Sequence, residues 1–252
     1  GGPSSGPVKK WKGTPVKHLV IACEQGIGDE IIYASAIPEL IVRLGHEPLE
    51  LQCHPRLFMV FERSFRIKCT PRRVLSQVEG DVVALADLFM FYRRDPSHFP
   101  KKPFLKADPV VRLKFLERLE SYPRPWIGLA WKSRHGKLDV GQLLKKLEPL
   151  GGTRFNLQYG EKDDRLLDIQ PDPLEDMEGH LNFISCLDRV VSVTQTVVHE
   201  AGALGIPCDV IKPPKGSGDV DPALWYYGIG DCPHRVYGGV NVFQSIESYK
   251  PL

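Results

Sequence analysis

Short apolar runs, each followed by a glycine turn and an amphipathic stretch, recur twice along this chain. That alternation sets the limits on what it can fold into. Residues 18–23 (HLVIAC) have strand length. They are followed by Glu24-Gln25-Gly26-Ile27-Gly28-Asp29-Glu30 and then by helical apolar spacing that runs to Leu44 and stops at Gly45. Strands are expected at Leu49–Cys53, 66–69 and 81–85, with a short helix over 55–63. After the Pro-rich stretch 92–109, a helix over 110–119 and the linker-like Ser121-Tyr122-Pro123-Arg124-Pro125, the alternation restarts. The second series reads as a strand at 126–131, a helix at Val140–Leu147, a strand at 154–158, helices at 161–167 and 181–187, a strand at 190–193, a helix at 197–204 and strands at Cys208–Ile211 and Val240–Phe243, with a Pro/Gly-rich loop over 212–234. Such a βαβ succession implies mostly parallel sheets covered by helices on both faces. The expectation is an α/β protein of two Rossmann-like domains. Residues 1–14 form a disordered leader, 15–121 an acceptor-side domain and 122–252 a donor-binding domain, the two domains facing across a cleft at the carboxyl ends of their strands.

Composition narrows the function classes. Thirty-three Lys and Arg stand against 31 Asp and Glu among 252 residues, so the chain is neither a polycation nor an acidic tail protein. No apolar run has the length of a membrane-spanning helix. Six scattered cysteines form no C-x-x-C pair, which argues against a structural zinc site and for reduced thiols in the cytoplasm.

Two segments carry chemistry. In the first, Gly26 and Gly28 are read as permitting positive φ and close approach of a ligand, beside the flanking Glu24 and Gln25. Asp29 at the helix start serves either as a cap or as a general base. The dinucleotide-binding fingerprint fails here because its third glycine is replaced by Ile31, and there is no Gly-Lys-Ser/Thr phosphate loop. In the second, Thr194-Gln195-Thr196 opens a helix whose N-terminal N–H groups suit a phosphate. His199 lies on the face of Thr196, and Gly202 inside the helix calls for a close neighbour. Between these segments, Lys132 and Arg134 are candidates to neutralise a diphosphate, and Gln158 and Tyr159 to contact a base or ribose.

Taken together, Trp11-x-Gly13, EQGIGDEIIYAS, HPRL, WIGLAWK, FNLQYG and VVSVTQTVVHEAGALGIP resemble the heptosyltransferase-like glycosyltransferases of the GT-B fold. The nearest similarity is to catalytic modules attached to tetratricopeptide repeats in bacteria. The resemblance implies transfer of a sugar from a nucleotide-sugar donor, with Asp29 as catalytic base, Lys132 on the donor diphosphate, and His199–Gly205 lining the donor site. Many members carry an Asp-Thr pair where this chain has Thr194-Gln195, and Glu200 is a candidate to compensate.

The expected partners are therefore a nucleotide-sugar donor as co-substrate, with no other cofactor, and an acceptor hydroxyl on a protein, a glycan or a nucleic acid. Basic pairs at Lys9-Lys10, Arg72-Arg73, Arg93-Arg94 and Lys101-Lys102, with Lys12, raise an anionic acceptor. No D-x-D-like pair sits at a strand end, so no metal is expected; Asp163-Asp164 and Asp219-Val220-Asp221 are read as solvated. The alternatives are a catalytically silent nucleotide-sugar-binding protein and a sugar-nucleotide epimerase.

Overall fold

The computed structural model describes residues 9–73, 78, 80–213, 224–228 and 230–251. The chain forms two compact units, one comprising residues up to Phe99 with Phe104–Lys106, the other Pro100–Pro103 with Ala107 onward.

The first unit contains β1 (Lys9–Lys10), β2 (Leu19–Ala22), α1 (Ile27–Ala34), α2 (Ile37–Leu44), β3 (Leu49–Cys53), α3 (Phe58–Phe65), β4 (Lys68–Pro71), β5 (Asp81–Ala84) and α4 (Leu88–Tyr92). Its sheet runs β1-β5-β2-β3-β4 with every pair parallel. Leu19, Ile21, Ile31, Ile32, Leu40 and Phe61 are fully buried, and each contributes about 1.5–3 kcal/mol by leaving water.

The single helix expected from residue 30 to 44 is two helices. Pro38 has no N–H to continue the ladder, so the chain restarts at Ile37 with Pro in its first turn. The leader ends earlier than expected. Lys9 and Lys10 pair with Asp81 and Val82, Trp11 is buried with its backbone N–H donating to Val82, and Arg43 donates to the Gly13 carbonyl.

The second unit contains α5 (Pro109–Leu119), β6 (Trp126–Ala130), β7 (Lys132–Ser133), β8 (Gly136–Lys137), α6 (Val140–Leu147), β9 (Thr153–Asn156), α7 (Met177–Ile184), β10 (Arg189–Ser192), α8 (Thr196–Leu204), β11 (Cys208–Ile211), α9 (Leu224–Tyr227), β12 (Cys232–Pro233) and β13 (Val240–Phe243). Its main sheet runs β12-β13-β11-β10-β6-β9, parallel except for β12. Ile127, Leu129, Trp131, Leu143 and Val191 anchor a core under α6.

Helix α5 belongs to this unit, not to the first, so the boundary lies near Phe99–Ala107 and not at residue 121. Phe115 packs edge-on against Phe183, the Asp108 N–H donates to Asn182 at 2.6 Å, and Arg112 donates to the Ser185 carbonyl. Residues 161–167 form no helix. Asp163 is held by the Arg165 guanidinium, and Leu167 bridges to Phe155 as an isolated strand contact. No helix among the described residues is long and apolar enough to cross a membrane. Residues 1–8 and the Asp219-Val220-Asp221 triplet lie outside the described residues.

Candidate functional site

In the first unit, chain order and sheet order reverse between β2 and β5. Such a switch point leaves a crevice at the carboxyl ends of the two strands. A shallow, solvent-open hollow with room for about one water (about 10 Å³) occupies that place, lined by Ala22 and Cys23 after β2, Leu85 and Ala86 after β5, and Asp29 and Tyr33 from α1, with Glu24, Gln25 and Glu30.

The turn that builds the hollow differs from the sequence expectation. Neither Gly26 nor Gly28 has positive φ: Gly26 is extended at φ −70°, ψ 166°, and Gly28 lies within α1. Asp29 is not the cap. Gly26 holds that position without a side chain, and Asp29 is the third helical residue, half-buried, with Oδ2 3.4 Å from where a Gly26 Cβ would stand. A Cβ at residue 26 would make only an ordinary contact with that carboxylate, so neither space nor backbone conformation demands glycine there.

Glu30, the other acid of that turn, faces inward. It is 1 % exposed, pairs with the Arg72 guanidinium and accepts the His54 N–H at 3.0 Å. Arg72 also donates to the Gln25 carbonyl. The ends of β3 and β4 are thereby tied to the glycine turn.

Tyr33 lies one turn after Asp29 on the same face, and its ring meets Phe89 edge-on at 4.9 Å. Burial first, and then the Asp29 charge, raise its hydroxyl pKa. Burial pushes the Cys23 thiol up to about 12, so it is no nucleophile.

The second unit has sheet order β9-β6-β10-β11-β13, with its switch point between β6 and β10. Three loops leave that edge, after β6, β9 and β10, and the loop after β9 carries Gln158 and Tyr159. The first is the β7–β8 hairpin after β6. Its Lys132 N–H donates to Gln158 Oε1 at 2.8 Å, and Gln158 N–H in turn donates to Asn156 Oδ1 at 2.7 Å. Gln158 is therefore a buried brace between loops, while Tyr159 is 53 % exposed. Lys132 pairs with Glu161, and Arg134 is exposed, with its Nε 3.0 Å from His135 Nε2.

The third loop, after β10, enters α8. Thr194 is buried; Gln195 is the N-cap, in extended conformation, and makes no capping bond, its Nε2 lying 3.3 Å from Ser192 Oγ. The first α8 N–H groups therefore have no side-chain cap. No acid stands in that first turn.

His199 and Gly202 face the interior. His199 is buried, with Nδ1 3.2 Å from the Tyr237 hydroxyl and Nε2 3.5 Å from that of Tyr227, and burial lowers its pKa to about 4. Gly202 has its close neighbour: a Cβ there would lie 2.4 Å from the Tyr237 ring. That neighbour is a side chain of this chain, neither ligand nor strand. Glu200 cannot compensate for the missing acid before the helix. It is 1 % exposed and its Oε2 lies 3.1 Å from His180 Nε2 on α7.

No family model matches the chain. The protein FlbA of Caulobacter vibrioides is 28% identical in an alignment of 242 residues that covers 80% of this chain and 40% of that protein, so the chain spans about two fifths of its curated relative. Among solved structures, a family 9 glycosyltransferase from Veillonella parvula superimposes with a TM-score of 0.66 at 8% identity, covering 92% of this chain and 87% of that one. The Escherichia coli ADP-heptose lipopolysaccharide heptosyltransferase II gives 0.55 at 12% identity, over 90% of both chains. The chain has the fold of the heptosyltransferase-like glycosyltransferases. The likeness extends to the iron-containing heptosyltransferase TibC, at a TM-score of 0.51 and 13% identity over 79% of this chain and 59% of that one.

The sequence reading named Asp29, Lys132 and the α8 start but missed Tyr33, Glu30, Lys137 and Glu161. Tyr33 was accessible from its i+4 spacing to Asp29. Lys137 needed the hairpin, whose only sequence sign is His135-Gly136.

Proposed function

We propose that this chain is a glycosyltransferase module. It takes a nucleotide sugar on the second unit and passes the sugar to an acceptor hydroxyl held at the first. What supports the reading is one contrast: two switch-point sheet edges of opposite chemistry within the fold of known sugar transferases. One is lined by carboxylates, with no Lys or Arg in its described lining. The other is flanked by Lys132, Lys137 and an uncapped helix start.

In this mechanism the Asp29 carboxylate takes the proton from the acceptor hydroxyl as that oxygen attacks the anomeric carbon. The bond from that carbon to the diphosphate oxygen breaks, and the departing charge falls on Lys132, Arg134 and the α8 N–H groups around Thr194, Gln195 and Thr196. These groups do the work a divalent cation would do, so transfer proceeds with chelator present. His199 and Gly202 act through the placement of α8. Gln158 fixes the hairpin that carries Lys132, and Tyr159 offers an exposed ring to the nucleoside.

The acceptor is better matched by an uncharged group than by the anionic one raised from the basic pairs. Several of those cations are spent within the first unit: Lys9 on Asp81, Lys10 on Asp87, Arg72 on Glu30 and Arg93 on Glu39. An anion in the hollow would face Asp29 and Glu24.

A second reading is binding without turnover. It rests on Thr194-Gln195, where Gln195 turns back to Ser192 and offers no carboxylate to the sugar. Incubation with ADP-, GDP-, UDP- and CDP-sugars separates the two. Release of the nucleoside diphosphate that Asp29→Ala abolishes, with nucleotide affinity retained, supports transfer. Tight binding with no release on any acceptor supports the silent form.

A further inference from the structure

Lys132 and Lys137 stand directly opposite each other across the β7–β8 hairpin. Like charges facing each other across a strand pair repel, so the hairpin is more stable with an anion between them. Glu161 supplies one. Its Oε1 pairs with the Lys132 ammonium, and its Oε2 lies 2.9 Å from Lys137 Nζ.

The bridge is anchored at its base. Asn156 Nδ2 donates to the Glu161 carbonyl at 3.2 Å, and Gln158 joins the same loop to the Lys132 N–H. The two ammonium groups hold the Glu161 carboxyl down to about 2, so it stays charged throughout the neutral range. A phosphate oxygen has the same acceptor chemistry as this carboxylate and carries more charge. Both lysines are exposed, so exchanging one anion for another costs little.

We propose that Glu161 is an internal competitor for the phosphate site: its carboxylate occupies the position on Lys132 and Lys137 that the diphosphate of a nucleotide donor or product takes. The inference rests on the donor-site reading above. It makes Glu161 a determinant of affinity that acts against the ligand, whereas a ribose or sugar contact would act for it.

Titration calorimetry with ADP, GDP, UDP, CDP and inorganic pyrophosphate, on wild type and Glu161→Gln, tests it. Glu161→Gln is expected to bind the preferred nucleoside diphosphate and pyrophosphate about fivefold tighter, the scale of an exposed ion pair. The gain is expected to shrink in high salt and to vanish in a Lys132→Gln background. Unchanged or weaker binding by Glu161→Gln, with its circular dichroism melt intact, overturns the competitor role while leaving the donor site standing. Absence of binding by any of these anions to either protein overturns the donor reading and this inference together.

Discussion

In the first unit the helix after the opening strand carries Asp29 and Glu30 in its first turn. In the second, α8 starts Thr196-Val197-Val198 with no acid there, and the neighbouring loops bring Lys132 and Lys137. Both units place a helix start at the carboxyl edge of a parallel sheet, and both start without a side-chain cap. The backbone device is shared, so its selectivity comes from the few residues around it. Carboxylates at a helix N-terminus satisfy its partial positive charge from within and leave it little pull on a further anion. Leaving that charge bare and adding cations turns it toward phosphate.

The sharpest way to break this contrast is Asp29→Ala. If the first unit supplies the base and nothing of the donor site, transfer falls by about 10²–10⁴-fold while nucleotide affinity holds. Single-turnover rates beside calorimetric Kd values test both halves. An equal loss in affinity would mean that the carboxylate edge also handles the donor.

Arg72→Ala addresses the fixed part of the first unit. It leaves Glu30 buried with charge and, among the described residues, the His54 N–H for a partner, which costs about 3 kcal/mol. Urea unfolding is the measurement. Adding Glu30→Gln should recover part of the loss, because the stranded charge goes with it. A near-neutral Arg72→Ala would show that Glu30 is not the tie between the turn and β3–β4.

The second unit has a pH signature of its own. His199 has a folded pKa of about 4 against an ordinary 6.5, and burial is the cause. The unfolded chain therefore binds a proton that the folded state refuses. The stability this reflects is whole above pH 6.5, falls as pH drops and is lost by pH 4, about 3 kcal/mol in all. His234, also held low by burial, steepens the same window. Urea midpoints of the second unit at pH 7, 5.5 and 4.5 should decline, and His199→Gln should flatten the decline. Midpoints that stay level would mean His199 is open to water and its aromatic surround is loose.

Much of this architecture was legible in the residues. Strands Leu49–Cys53, Cys208–Ile211 and Val240–Phe243 and helix Val140–Leu147 are where apolar periodicity puts them, because each is bounded by its own turn or cap signal. Errors arose where a long-range contact overrides local pattern. Trp11 is buried by pairing with a strand 70 residues on. Helix α5 is claimed by α7, and residues 161–167 are held by ion pairs instead of a helix. In the site, Asp29 and Lys132 stand out as charged residues just past strand ends. Glu161 does not, since its meaning depends on Lys132 and Lys137 meeting across a hairpin too short to carry periodicity.

Gly202 offers the smallest and most exacting test of how the second unit holds its helix. Replacing a mid-helix glycine by alanine normally stabilises by about 1 kcal/mol, because the unfolded chain loses freedom. Here the new methyl would meet the Tyr237 ring at 2.4 Å, and that ring is bonded to His199 one turn earlier. Overpacking costs about 1–3 kcal/mol, so the sign reverses and Gly202→Ala is expected to destabilise by about 1 kcal/mol. Because the strain falls on Tyr237 and through it on His199, diphosphate affinity should weaken with stability. In Gly202→Ala/Tyr237→Ala the clashing ring is gone from Cγ outward, and the intrinsic gain of alanine should reappear relative to Tyr237→Ala alone. A stabilising Gly202→Ala in the wild-type background would mean that α8 can shift away from Tyr237. The helix start would then not be set by the aromatic cluster beneath it.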